Sequence, residues 1–62
     1  MKFYKCKFFD KRDQKHNEHY VYTADIYKAR AKIEFEEPYV RMVSWKAVEE
    51  SELPDLVVVI QK

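Results

Sequence analysis

Two aspartates and two histidines recur three residues apart in the polar stretch DKRDQKHNEHY: Asp10, Asp13, His16 and His19. Carboxylate oxygens and imidazole nitrogens can bind zinc and similar ions, and a helix would gather residues at this spacing on one side. However, the stretch has no apolar stripe, and it joins two segments with strand character, in which residues three apart point to opposite faces. We therefore predict an exposed hairpin connection over residues 10–18, with neither a metal site nor a cofactor.

The segment before this stretch alternates aromatic and basic side chains. Phe3, Lys5, Lys7 and Phe9 share one face of a predicted strand over residues 3–9. Protein sheets that bind nucleic acid stack bases on aromatic rings and neutralise phosphates with such cations. Two observations favour a solvated strand edge with partly buried phenylalanines instead. The formal net charge is only +1, which gives little long-range attraction, and we expect the same face to carry Val21 and Thr23.

Catalytic chemistry has little support in this sequence. Cys6 alternates with Tyr4 and Phe8 on the expected core face, which predicts an inert buried thiol. The acid pairs at 36–37 and 49–50 lie at a predicted helix end and in a loop, where nothing excludes water. The chain contains no glycine, which excludes phosphate loops, dinucleotide fingerprints and nucleophile elbows. We predict that the protein is not an enzyme.

The elements that must position these residues begin with a hairpin and a helix. The β-branched and aromatic run HYVYT predicts a second strand over residues 19–23, with Tyr20 and Tyr22 on one face. Asp25 is a suitable N-cap for a helix over residues 26–36, which stops before a proline. Along that helix, we expect a core stripe of Ile26, Ala29 and Ile33. A second apolar stripe would consist of Tyr27, Ala31 and Phe35.

Two more strands follow the helix. Residues 39–48 form the third strand, whose strict alternation would place Tyr39, Arg41, Val43 and Trp45 on one face and Val40, Met42 and Ser44 on the other. Residues 56–60 (LVVVI) suit a strand covered on both faces or a homodimer seam. The order β-β-α-β-β predicts a single α+β domain over residues 1–62, with one helix packed on an antiparallel or mixed sheet.

Composition and cysteine content bear on the size of the domain and on its cellular compartment. The chain has 62 residues, of which 47% are hydrophobic, so we expect it to fold as one small domain. Cys6 is the only cysteine, which excludes an intrachain disulfide and fits a reducing compartment. The longest apolar run near the start is two residues, which predicts neither a signal peptide nor a membrane span. A cytoplasmic location without membrane contact is expected.

Large apolar side chains exceed what one helix on one small sheet can hide, which favours a protein-binding role. Tyrosine, tryptophan, phenylalanine and arginine commonly anchor protein interfaces. The predicted contact set combines the cations of the hairpin with apolar anchors: Lys5, Lys7, Lys11, Arg12, Lys15, Tyr27, Phe35 and Trp45. The alternative is a nucleic-acid-binding domain that uses Phe3, Phe9, Lys5 and Lys7. Self-association through Leu56 to Ile60 is a further possibility.

The phrase TADIYKARAKI, preceded by a basic MK start and a hairpin and followed by a strand, resembles small phage-encoded host-interaction proteins, including some anti-CRISPR proteins. The resemblance covers about residues 18–35. A similar strand-to-helix phrase occurs in cytoplasmic domains of type II secretion and type IV pilus inner-membrane proteins. The first resemblance implies a stand-alone phage or mobile-element inhibitor in the host cytoplasm. Its partner would be a host protein, nucleoprotein or defence complex, and no functional residue is transferred.

Overall fold

A long antiparallel hairpin forms the first part of the computed structural model, which describes residues 1–60. Strand β1 covers Lys2–Asp10 and β2 covers Lys15–Thr23, with Asp10 opposite Lys15 at the tip. The connection is therefore only residues 11–14, and the prediction that residues 10–18 connect the strands was wrong. The polar residues at the start of β2 are exposed, and an exposed strand keeps its backbone hydrogen bonds whatever its side chains are.

Side-chain hydrogen bonds and one left-handed residue make the hairpin turn without glycine. The backbone amide of Arg12 donates to Asp10 Oδ1 at 2.9 Å, an arrangement in which an aspartate closes a turn on its own backbone. Gln14 adopts the left-handed region with φ of 54°. The amide of Lys11 donates to the Tyr39 carbonyl oxygen at 2.9 Å, so the turn is also attached to the chain entering the third strand.

Helix α1 covers Ile26–Glu36, which confirms the predicted bounds. The Asp25 carboxylate accepts hydrogen bonds from the amides of Tyr27 at 3.0 Å and Lys28 at 3.2 Å, satisfying two donors that the first helical turn leaves unpaired. Ile26 and Ala29 are buried, whereas the second stripe is exposed. Within residues 1–60, no helix combines the length and the apolar character needed to span a membrane.

Two strands complete a mixed sheet, β3 over Val40–Val48 and β4 over Val58–Ile60. The sheet order is β3-β1-β2-β4, and β1 runs antiparallel to both neighbours while β2 and β4 are parallel. The α+β prediction with one helix on an antiparallel or mixed sheet is confirmed. The proposal that residues 56–60 are covered on both faces was wrong, because β4 is an edge strand whose Val58 and Val59 are exposed.

One face of the sheet packs against α1 and forms the core. The buried apolar residues are Cys6, Phe8, Val21, Ile26, Ala29, Met42 and Ile60. Tyr4, Ile33, Val40 and Trp45 pack against them and are partly buried. Because side chains alternate along each strand, the opposite face of β1 and β2 is turned away from this core.

A β-bulge in β3 overturns the predicted alternation of that strand. Lys7 is opposite Ser44 but Phe8 is opposite Met42, so Val43 has no partner residue on β1. An extra residue reverses the face of everything beyond it. Trp45 therefore lies on the core side with Met42, and Ser44 lies on the other side with Arg41. Strict alternation, which separated Trp45 from Met42, was wrong for this reason.

Candidate nucleic-acid interface

The face of the sheet opposite α1 is turned away from the core cluster; we call it the open face. The strand registers assign its side chains. They are Phe3, Lys5, Lys7 and Phe9 from β1, His16, Glu18, Tyr20 and Tyr22 from β2, Arg41, Ser44, Lys46 and Val48 from β3, and Val59 from β4. Val21 and Thr23, expected on this face, are buried on the other side opposite Tyr4 and Lys2. The expectation failed because it lacked the hairpin register, which a one-residue slip would reverse.

Aromatic side chains pair across the hairpin at both ends of the open face. The ring centroids of Phe3 and Tyr22 are 4.4 Å apart with planes at 31°. Those of Phe9 and His16 are 5.0 Å apart with planes at 53°. Phe3, Phe9 and Tyr22 are half-buried, as expected for rings that contact each other while one side faces solvent. The open face thus presents two separate aromatic surfaces.

Three lysines lie between these aromatic pairs. Lys5, Lys7 and Lys46 line a shallow depression of about 350 Å³ together with Glu18 and Ser44; we call it the lysine depression. Lys5 Nζ lies 3.7 Å from Glu18 Oε2. In the described part of the chain, Lys7 and Lys46 form no ion pair. Both are exposed, so two ammonium groups remain available for an anion.

Charge is unevenly distributed between the open face and the rest of the chain. Among the residues of β1, β2 and β3 on the open face, four are cationic and one is acidic. Many of the other acids belong to α1, the hairpin turn and the loop between β3 and β4. A net charge of +1 therefore conceals a cationic face, and it is the local field that an approaching polyanion experiences.

The three turn cations of the predicted contact set lie at the hairpin tip, away from the lysine depression. Arg12 donates from Nε to Asp10 Oδ1 at 3.3 Å and from Nη2 to Asp10 Oδ2 at 3.1 Å. Its guanidinium carbon lies 3.5 Å from the centroid of the Tyr39 ring. The hydrogen bond from Arg12 holds the pKa of Asp10 below its ordinary value, and the same bond raises the pKa of Arg12. Lys11 and Lys15 are exposed on either side of this cluster.

The three apolar anchors of the predicted contact set lie on the helix side instead. Tyr27 contacts Trp45 edge-on, with ring centroids 5.6 Å apart. Tyr27 is 68% exposed and Phe35 is 85% exposed, while Trp45 is half-buried against the core. We call the exposed stripe of Tyr27, Ala31 and Phe35 the helix ridge. The structure thus separates the predicted contact residues into three groups, which lie on the open face, at the hairpin tip and on the helix side.

The four residues with metal-ligand spacing are not brought together. Asp10 and His19 lie on the core side of the hairpin, His16 lies on the open face, and Asp13 is in the turn. Across residues 1–60, no three His, Cys, Asp or Glu side chains are arranged to hold a metal ion. Cys6 is fully buried, and burial raises its thiol pKa to about 11, so the thiolate required for nucleophilic or metal chemistry is strongly disfavoured.

A larger groove lies on the helix side, between the end of α1 and β2. It has a volume of about 400 Å³, and Phe8, Val21 and Val58 contribute apolar surface to it. At its rim, Asp10 and Arg12 are already paired with each other. The groove therefore offers mainly apolar contact and has no group of unpaired cations comparable with the lysine depression.

Comparisons with protein-family models, curated proteins and solved structures found no match to this chain. The arrangement of the open face is consequently the basis for assigning a function. Sequence reasoning identified its β1 residues but did not add His16, Tyr20, Tyr22, Arg41 and Lys46. Within DKRDQKHNEHY, His16 and Glu18 join the open face because β2 begins at Lys15. The signal for that earlier start was weak, because charged and amide residues are uncommon in strands.

Proposed function

We propose that this protein binds nucleic acid through the open face of its sheet. The observation that carries the proposal is the alternation, along one face of the sheet, of an aromatic pair, the lysine depression and a second aromatic pair. Aromatic rings bind bases by stacking, and lysines bind the phosphates that connect those bases. This combination suits a nucleic acid better than a protein surface, which has no regular alternation of flat rings and anionic groups.

Electrostatics support the same ligand. A protein that neutralises phosphates releases condensed counterions, so the logarithm of its binding constant falls with the logarithm of salt concentration by roughly 0.7 to 0.9 per phosphate. Lys7 and Lys46 are exposed and form no ion pair with any other residue of the range 1–60. Each can therefore neutralise a phosphate without first breaking a salt bridge. We expect binding that is clear at low salt and weakens steeply as salt is added.

The experiment is a titration of fluorescently labelled oligonucleotides, single-stranded and double-stranded, at about 50 and 200 mM salt. The double variant Lys7→Gln with Lys46→Gln should bind more weakly and have a salt slope smaller by about one to two. The matched control is Lys28→Gln with Lys32→Gln, which removes the same charge from exposed positions on α1. Absence of binding at low salt, or equal loss in both double variants, would refute the proposal.

Protein contact through the helix ridge is a second candidate, favoured by the exposure of Phe35 and Tyr27. Exposed aromatic side chains of this size anchor protein interfaces once a partner buries them. The phage-protein resemblance implies docking on a host protein, nucleoprotein or defence complex, and the helix ridge would be the contact surface in that case. This docking remains a prediction. Phe35→Ala should abolish capture of a specific partner from host lysate while leaving oligonucleotide binding unchanged. Retention of the same partner by Phe35→Ala would exclude the helix ridge as its docking site.

A further inference from the structure

We infer that the ligand of the open face is an unpaired strand, whose bases stack on the two aromatic pairs and whose phosphates occupy the lysine depression between them. This inference rests on the proposed function and specifies the class of nucleic acid. It follows from the spacing of the aromatic pairs, from the position of the lysines and from the shape of the face.

The spacing of the aromatic pairs sets the length of strand that the face can hold. Phe3 and Phe9 are six residues apart on β1, which at about 3.3 Å per residue separates them by roughly 20 Å. That distance is several times the spacing of stacked neighbouring bases, which is about 3.4 Å. One base therefore cannot contact both pairs, and adjacent stacked bases cannot either. The two ends of the face must engage bases separated along an extended strand.

The lysine depression lies where the connecting backbone of such a strand would cross. Lys5 and Lys7 fall between Phe3 and Phe9 on β1, and Lys46 is opposite Lys5 on β3. Of the three, Lys5 forms an ion pair with Glu18, and Lys7 is opposite the same glutamate on β2. Phosphates held there would leave the bases on either side free to turn toward the sheet, which is the arrangement of stacking platforms that bind single strands.

The shape of the face disfavours a duplex. A double helix stacks its base faces internally, so the rings of the open face cannot reach them without unpairing. Reading base edges instead requires an element narrow enough to enter a groove, such as a helix or a two-stranded ribbon. Where β4 pairs with β2, four strands at about 4.8 Å spacing put the outer backbones about 14 Å apart, which exceeds the major-groove width of about 12 Å. Phe3, Phe9 and Tyr22 are also half-buried, so these rings expose only part of their surface.

Three probes of equal length separate stacking from charge: a short oligothymidine, the same length of duplex, and an abasic strand that keeps the sugars and phosphates but lacks bases. We expect the oligothymidine to bind at least about tenfold more tightly than the abasic strand and the duplex, given the usual contribution of a stacked base. Shortening the oligothymidine until it cannot reach both aromatic pairs should cause a further loss. An oligouridine series tests whether RNA is bound in the same manner.

Single-residue variants locate the stacking. Phe9→Leu and Phe3→Leu keep apolar volume but remove the flat ring, and each should weaken oligothymidine binding by about tenfold while leaving abasic-strand binding unchanged. Phe35→Leu, at an exposed position on the helix side, is the matched control and should change neither. Thermal unfolding of each variant shows whether it folds; the comparison of the two probes within one folded variant does not depend on its stability.

The outcomes distinguish this inference from the proposed function. Equal binding of duplex and oligothymidine, or equal binding of abasic strand and oligothymidine, overturns the inference and leaves charge-driven nucleic-acid binding intact. Loss of affinity in Phe35→Leu equal to that in Phe9→Leu also overturns it, because the stacking would then not lie on the open face. Absence of binding to every probe at low salt refutes both.

Discussion

At the scale of single residues, Asp10 shows how one carboxylate organises the hairpin tip. It is only 8% exposed, yet its oxygens accept hydrogen bonds from the backbone and the guanidinium of Arg12. The guanidinium in turn lies over the Tyr39 ring. Asp10 thus closes the turn and pairs with the arginine that lies over Tyr39. In many hairpins a glycine makes the turn instead.

Acidification should remove the contribution of Asp10 to stability. Its pKa is lower in the folded state than the ordinary value of 3.8, so the unfolded chain binds more protons in acid, and stability must fall as pH drops through the folded-state pKa. Asp10→Asn should melt below the unmodified protein at neutral pH, with the difference shrinking below about pH 4. Melting temperature measured between about pH 7 and pH 2 is the readout. Asp13→Asn, at an exposed position in the same turn, is the control. If the difference in melting temperature between Asp10→Asn and the unmodified protein stays constant with pH, Asp10 does not stabilise the protein in this way.

At the scale of elements, Glu34 connects the helix to the outer edge of the sheet. Its Oε2 accepts a hydrogen bond from the Met42 amide at 3.0 Å and another from Arg30 Nε at 3.1 Å. Partial burial acts to raise the pKa of Glu34, but these two hydrogen bonds outweigh it and the pKa is lowered. β3 is an edge strand, and a covered amide is one less donor available for unwanted strand pairing.

Removing this connection should destabilise the protein. Glu34→Ala leaves the amide of the buried Met42 without its acceptor, for which the usual cost is about 1–3 kcal/mol in the free energy of unfolding. Glu36→Ala removes an exposed glutamate from the same helix and should change stability by less than about 0.5 kcal/mol. Urea unfolding followed by tryptophan fluorescence measures both. Equal effects of the two substitutions would show that the Glu34 hydrogen bonds contribute nothing specific.

At the scale of the whole molecule, the proposed nucleic-acid interface and the predicted self-association would use different parts of one sheet. The open face lies mainly on β1, β2 and β3, whereas the outer edge of β4 has no partner strand within residues 1–60. Around it, Leu56 is 80% exposed and Val59 is 57% exposed. Edge strands with apolar, uncharged side chains are templates for pairing with another chain. Homodimerisation through residues 56–60 therefore remains a prediction.

Sedimentation over a concentration series tests this association. We expect a dimer to form as concentration rises, because pairing two β4 edges would cover the exposed Leu56 and Val59. Leu56→Lys should keep the protein monomeric, since it places a charge on each side of the seam. Ala31→Lys adds the same charge at an exposed position on the helix and should leave the dimer intact. A monomeric mass at every concentration would exclude this association.

Local signals were sufficient for much of the fold. Asp25 followed by helical periodicity and closed by Pro38 predicted Ile26–Glu36, because capping and proline geometry act over a few residues. The alternation of Phe3 to Phe9 predicted both faces of β1 for the same reason. The start of β2 was missed, since pairing with β1 holds polar residues in a strand that their own propensities do not favour.

The sequence by itself determined the α+β order, the helix and its cap, the buried position of Cys6, and the aromatic and basic face of β1. Only the tertiary structure decided which residues join that face. Placing Tyr20, Tyr22 and His16 beside β1 depends on the hairpin register, and placing Lys46 there depends on the bulge at Val43. Both are relations between strands, and a shift of one residue in either would reverse the faces without changing any local pattern.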